Sequence, residues 1–584
     1  MVLAAVNACG TPLACSSSQP RPLGSAAADG GVERPDAPES DGASGQVEAG
    51  EDAGLGGGIK DAAREADDAG ASGDGSSVPD ASGERDGAPT AIPVSYPTSS
   101  GSATVALGDA GTLIYTPDLN GDTVPDFSTA GYMGGGIPLP IAPVITVLPV
   151  EVGESDASGR IQTAIDALSK VPIQRGDGVR GAILFEAGVY PISTSITIRA
   201  SGIVLRGAGD GATGTILRIV SGGTTPAVVV QGNGAVSEVA GTRQNLTDSY
   251  VPVGAKWFRV ASAAGFSVGD DLVVYRPSTT SWINAISMTW AAGSADMAME
   301  RKILAIEENR ILVDGPVTLA IDQKYGGGYV YKYTSNRIQN VGIEQIRGES
   351  SVRDGDASDG NGQFIVFNNV ENGWVSHCTN NQIAGVIGES STFSADHSKW
   401  ITVEDVSSVH NLPNVTTGPK VLDFTFKHSQ MILFHRLVAS NGGHEFTSQE
   451  DNSGPNVYLE SQTPAAYGYT GPHYMWSAAT LYDSLKVNEL WLLQLGDNWG
   501  GGNIVVWNSS ATDTAICDRP ATAHQWMFGV TSPQTTSTAP RAGDLGASQC
   551  EWHSFGTPMS PASLYRQQLR ERLGPAALAA LGSP

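Results

Sequence analysis

Positive charge is scarce in this chain: 34 Lys and Arg stand against 60 Asp and Glu, a formal net charge of -26. A nucleic-acid backbone needs cations to neutralise it, so this balance argues against nucleic acid as the partner. Cysteine is scarce too, 5 in 584 residues, which gives no disulfide framework. Cys517 and Cys550 can pair late in the chain, whereas Cys378 in WVSHCTN reads as a small buried side chain. No run of 18 apolar residues follows the N-terminus, which argues against a membrane span. Histidine numbers only 9, so its distribution carries information.

Residues 1–15, with Cys9 and Cys15 in MVLAAVNACGTPLACSSS, read as the remnant of an export or lipoprotein signal, although a positively charged start is missing. Residues 16–92 are Gly, Ala, Ser, Asp and Glu with almost no large apolar side chain, and cannot bury enough surface to offset their ordering entropy. They read as a disordered acidic linker, so the protein is expected to be secreted or tethered at the cell surface. The folded part is expected as an N-terminal extension with the first rungs (93–239), an inserted β subdomain (240–336), a main stack of rungs (337–530) and a C-terminal extension with a terminal helix (531–584).

Within the extension, PDLNGDTVPDF gathers Asp118, Asn120, Asp122 and Asp126 around a glycine turn. This is an oxygen-rich pattern that suggests a calcium loop but lacks the distal bidentate glutamate. An Asx-type turn explains the same residues. DASGRIQTAIDALSKV, from Asp156, places Ile161, Ile165 and Leu168 on one helical face. Short β runs then follow, each closed by Gly or a polar turn: GAILFEAGVYPI, SITIRASGIVLRGAG and TILRIV. From Asn336 similar runs recur, and this rung pattern predicts a coil of stacked parallel strands. Between them, GAKWFRVASAAGFSVGDDLVVYRPS and KILAIEENRILVDGPV alternate like antiparallel strands. The tail from Pro561 to Leu581 offers Leu564, Leu569, Leu573 and Ala577 as an apolar helical stripe.

Four of the histidines crowd into the stretch from His428 to His473. In a rung stack, equivalent positions of successive turns lie about 4.8 Å apart, so such residues line a face suited to a linear polymer. His435, Arg436, His444 and His473 are the catalytic candidates: neutral histidine can withdraw a proton, and arginine offers fixed charge to a carboxylate. Lys427, His428, Glu445, Tyr474, Trp476 and Trp499 are the candidates for binding substrate. Glycines around His444 and Trp499 leave them room for close approach or an uncovered ring. Each has a plainer reading as well, since a rung histidine also simply faces solvent and a tryptophan packs in a core. Hydrolysis would instead use two carboxylates, for which Glu445, Glu450, Asp451 and Glu460 are available. No close-spaced zinc motif is present, and calcium bridging a substrate carboxylate is the one cofactor that fits a lyase.

DASGRIQTAIDAL followed by GAILFEAGVYPISTSITIRASGIVLRGAG resembles the opening of the pectate-lyase-like right-handed parallel β-helix superfamily. The later block of HRLVASNGGHEF, SGPNVYLE, GPHYMWSAATLYD and NWGGGNIVVWN is similar to secreted bacterial polysaccharide-lyase-like proteins. The resemblance implies an all-β right-handed β-solenoid with an N-terminal capping helix. It also implies a lyase, most simply a monomer, cleaving an acidic, uronic-acid-containing polysaccharide by β-elimination. Fold alone leaves a glycoside hydrolase and a noncatalytic carbohydrate-binding surface protein open. The aspartate cluster and arginine arrangement of calcium-dependent pectate lyases have no evident match, which sets pectate itself apart from alginate, glucuronan or a glycosaminoglycan.

Overall fold

Short apolar runs separated by polar corners can bury themselves only by stacking, and here they stack in parallel. One turn of the chain runs through Val370–Ser376, Thr379–Asn381 and Ser391–Asp396; the next runs through Lys399–Glu404, Ser407–Val409 and Leu422–Lys427. Each strand pairs in parallel with its equivalent one turn on. The result is three long sheets, of 13, 11 and 7 strands, wound as a right-handed parallel β-helix. The computed structural model describes residues 104–221, 226–350, 362–383, 391–409, 422–495, 498–536 and 547–582, all within the compact unit Val94–Pro584. The signal and linker read at 1–15 and 16–92 lie outside the described residues.

Corner geometry sets which side chains face in. From the 13-stranded (first) sheet to the 11-stranded (second) sheet only one or two residues are available. The chain therefore turns left-handed at Gln345, His377, Asp405, Arg436, Glu460, Ser484 and Asn508, with φ between 45 and 62°. At the entrance to the 7-stranded (third) sheet the ladders step over Phe364 and Thr392, and again over Asp423 and Glu445. This corner sends two consecutive side chains inward instead of one, and Phe364 with Ile365, Thr392 with Phe393, Asp423 with Phe424 and Glu445 with Phe446 are all buried. The interior is a continuous core that includes Ile365, Phe393, Phe424 and Phe446.

Helix Ser158–Ser169 packs Ile161, Ile165 and Leu168 into that core beside the first strands. An antiparallel sheet interrupts the coil between Val236 and Ser335 and builds a second core around Trp282, Met297 and Ile303. Arg337 ties this insertion to the coil by donating two 2.7 Å bonds to buried Glu300, beside Lys399 at 3.6 Å. At the C-terminus, helix Leu564–Leu573 and the following turn Pro575–Leu581 lie on the outer face of the first sheet. There Leu564, Leu569, Ala577 and Leu581 meet Leu433, Val457 and Leu481. Cys517 and Cys550 form a disulfide, and Cys378 is a buried free thiol.

Candidate active site

Gln363, Asn368, Ser394, Asp396, Thr425 and Lys427 face outward from the third sheet and line a groove of about 190 Å³. The ladder stacks Asn368, Asp396 and Lys427 in one line. By the same register, Gln449 and His473 continue it on the next two turns. One residue later each chain turns left-handed, at Asn369, His397 and His428 (φ 56, 48 and 46°). These turns, with Glu450 and Asp451 on the following coil, form a ridge along the groove. Behind the ridge, buried Ser429 accepts a bond from the Ser398 amide, and its own amide donates to Asn452 Oδ1, so the corners are held in place.

The ridge holds ionisable groups in opposite states. His428 Nδ1 lies 2.8 Å and His397 Nδ1 2.6 Å from Asp396 Oδ1, and the two imidazoles stack at 4.5 Å. Partial burial works against Asp396 ionising, yet the two imidazoles hold its carboxyl well below the usual range. The bond from Asp396 in turn raises His428, outweighing its burial. Asp451 goes the other way: loss of water, together with the neighbouring charges of Glu450 and Asp296, outweighs His428 and pushes it up to about 7. Asp296 belongs to the insertion, where it accepts a hydrogen bond from Tyr275, so the inserted sheet forms a wall on this side.

Of the residues singled out in the sequence, Lys427, His428, His473 and Tyr474 lie along this ridge, and Tyr474 is 40 % exposed. His444 takes the outward position next to Leu422 at the far end of the groove. Its ring contacts Tyr469 at 4.4 Å and His473 at 4.6 Å, and Tyr469 stacks on Trp491 at 4.7 Å, making an aromatic platform. Burial first, and His473 second, push His444 down to about 3; burial alone lowers His473. His444 is therefore neutral at pH 7.

The expectations for six residues are corrected. His435 is fully buried, with Nε2 3.1 Å from Glu460 Oε2, and the C-terminal segment covers it. Arg436 donates to both oxygens of Asp405 (2.7 and 2.5 Å) and to the carbonyl of Leu581, so it fastens that segment and reaches no groove. Glu460, a carboxylate proposed for hydrolysis, accepts two bonds from Arg566 (2.6 and 2.7 Å) in the same network. Trp476 and Trp499 are not open platforms; both are fully buried under the insertion, where Trp282 meets Trp476 edge-on at 4.9 Å. Glu445 takes the extra inward position of the corner and is 0 % exposed, and burial with Asp423 nearby pushes its pKa well up. Sequence reasoning missed Asp396 and His397. The signal was present, because ADHS at 395–398 recurs as FKHS at 426–429, one turn of the coil later.

Metal-ligating atoms of Asp396, His397 and His428 lie within 4.8 Å of one another, as do those of Asp118, Asp122 and His524. Two imidazoles at the ridge suit a transition metal better than calcium, which takes oxygen ligands.

No protein-family model and no curated protein matches the chain. Among solved structures it is similar to the tailspike protein gp49 from Pseudomonas phage LKA1 (TM-score 0.38, 13 % identity, 64 % of this chain and 56 % of that one). It is also similar to polygalacturonase from Erwinia carotovora (TM-score 0.33, 10 % identity, 71 % and 96 %) and to endo-xylogalacturonan hydrolase from Aspergillus tubingensis (TM-score 0.27, 12 % identity, 70 % and 100 %). The chain thus spans little more than half of the tailspike's length. The fold rests on the parallel ladders described above, and at these scores the likenesses add nothing about activity or substrate.

Proposed function

We propose that the protein is a carbohydrate-active enzyme that hydrolyses a polysaccharide lying along the outer face of the third sheet. The observation that supports it is the split between two ridge carboxylates, Asp396 held ionised and Asp451 raised to about 7. Glycoside hydrolysis needs such a pair, one carboxylic acid to protonate the leaving oxygen and one carboxylate to activate water. Asp396 and Asp451 belong to coils two rungs apart, about 10 Å along the stack at the usual strand spacing. That axial separation lies just beyond the ~6.5–9.5 Å gap that admits a water in inverting enzymes, so the two side chains must lean toward each other across it. Asp451 is the acid, Asp396 the base, and His428, whose bond from Asp396 favours its charged form, lies between them.

Lys427 and His428 place positive charge beside the groove, which favours a uronic-acid-containing polymer, and Tyr474 offers a ring face for a sugar. The Cys517–Cys550 bridge suits a secreted or surface-tethered protein. A second reading, elimination, has one observation behind it: half-buried His473, whose burial favours the neutral imidazole, stands in line with Lys427. In that reading calcium would bridge the substrate carboxylate.

The test incubates the protein with panels of acidic and neutral polysaccharides, with and without calcium or chelator. It follows reducing ends and absorbance near 235 nm together. New reducing ends without absorbance support hydrolysis. Absorbance moves the assignment to elimination, and sugar binding without product makes the protein a noncatalytic carbohydrate binder.

A further inference from the structure

The loop expected to resemble a calcium site meets a histidine from the far end of the coil. Asp118 Oδ1 accepts the amides of Asn120 (2.8 Å) and Asp122 (2.9 Å), which closes the loop. Asp122 Oδ1 accepts the Val253 amide (2.7 Å), and its Oδ2 accepts the Tyr250 hydroxyl (2.6 Å). Asn120 and Asp126 do not converge on the same point: Asp126 pairs with Lys256 at 2.8 Å. In their place stands the His524 imidazole, mostly buried and stacked on Trp526 at 4.8 Å.

His524 is oriented as metal-bound histidines are. Nδ1 lies 2.5 Å from Glu551 Oε1, so a carboxylate fixes the ring and its tautomer. Nε2 then points between the two aspartates, 3.5 Å from Asp118 Oδ2 and 3.4 Å from Asp122 Oδ2. Both separations are longer than the ~2.7–3.2 Å of ordinary N–H···O bonds. They equal the edge of a tetrahedron with bonds of about 2.0–2.2 Å, roughly 3.3–3.6 Å, which is the spacing that nitrogen and carboxylate ligands adopt around zinc. The orientation of the ring and the length of these two gaps are separate observations, and both point to an ion between the three side chains.

We propose that Asp118, Asp122 and His524 bind a divalent transition-metal ion of the zinc class. Each aspartate gives one oxygen and His524 gives Nε2. Water takes the fourth position on the open side, where Asp118 is 32 % exposed. One imidazole nitrogen and two carboxylate oxygens are too few ligands for calcium, which takes six to eight oxygens, and the imidazole suits zinc better. The ion is structural: it joins the N-terminal segment, which the insertion holds through Tyr250 and Val253, to the coils that carry His524 and Glu551. The competing arrangement is an imidazolium paired with the same carboxylates, in which no ion binds.

The test uses the full chain stripped with chelator, titrated with zinc and separately with calcium by calorimetry. Metal content after gel filtration and thermal melting are measured alongside. One equivalent of zinc is expected, with no comparable calcium binding and a melting temperature that zinc raises. His524→Gln should abolish that equivalent and the thermal shift, and Glu551→Gln should weaken binding about 10–100-fold. Should His524→Gln fail to fold, Asp118→Asn, at the exposed edge, carries the same expectation of weakened binding. The proposal is overturned by a wild type that binds no zinc, by equal zinc binding in wild type and variants, or by a preference for calcium. Zinc retained in His524→Gln and lost in His397→Gln would place the ion on the ridge instead.

Discussion

Replacing Asp451 by asparagine should make the protein less active and, in alkaline solution, more stable. Asparagine keeps the shape and removes the proton, so turnover should fall by about 10²–10⁴, the usual contribution of a general acid. In the wild type, activity should decline as pH rises through about 7, where Asp451 ionises, and this limb should vanish with the variant's residual activity. Stability changes in the opposite sense. A folded pKa above the unfolded one means that folding costs more as pH rises, from near 4 until the group is ionised in both states above 7. The unscreened cost is about 4 kcal/mol at ~1.36 kcal/mol per pKa unit. Asp451 is only partly buried, and solvent screening reduces this to roughly 1–2 kcal/mol. Urea unfolding at pH 8 should therefore show Asp451→Asn more stable than the wild type by that amount, with the difference gone near pH 4. Full turnover with an unchanged alkaline limb refutes the acid assignment. An equal loss of stability at both pH values refutes the account of why its pKa is raised.

Asp396→Asn should abolish hydrolysis and return the His428 titration, followed by NMR, to a lower pH, because its largest stabilising contact is gone; an unmoved His428 would break the proposed coupling. Arg436→Ala should leave turnover intact while lowering stability by about 1.5–3 kcal/mol, the usual worth of hydrogen bonds to charged groups; a selective loss of kcat would restore it to catalysis. Arg337→Ala strands the buried Glu300 carboxylate, which Arg337 and Lys399 hold down at about 2 despite its burial, and should cost about 3–5 kcal/mol in urea unfolding.

The coil was legible because its signals are local. Runs such as TILRIV are one strand long and end in turn residues, and the tail showed its apolar stripe in Leu564 and Leu569. The site was half legible for the same reason. Lys427, His428 and His473 could be placed along one face by counting rungs, whereas what covers another face is decided by segments remote in sequence. Nothing near His435 and Arg436 announces that residues 564–581 lie over them, and nothing near Trp476 and Trp499 announces the insertion. Glycine beside Trp499 was read as leaving its ring open. The structure shows that this space admits a second layer: a Cβ at Gly502 would come within 2.7 Å of the Trp476 ring.

Glu445 shows how narrowly a rung position decides the role of a side chain. In a regular strand its neighbours His444 and Phe446 would share one face and Glu445 the other, toward the groove. The corner into the third sheet breaks that alternation by admitting two consecutive residues to the interior. His444 then stays outside with Leu422, while Glu445 joins Asp423 within. Asp423 accepts bonds from Thr392 (3.1 Å) and Ser408 (2.5 Å), and Ser408 occupies the core-facing column between Asn380 and Ala439. A Cβ on Gly442 would sit 2.2 Å from Asp423 Oδ2, so the first of the two glycines before His444 makes room for a buried carboxyl rather than for substrate. The same kind of side chain is thus an interior acid at Glu445 and a candidate proton donor at Asp451. The difference lies in which side of a corner the backbone presents, and the sequence records that only through the spacing of successive turns.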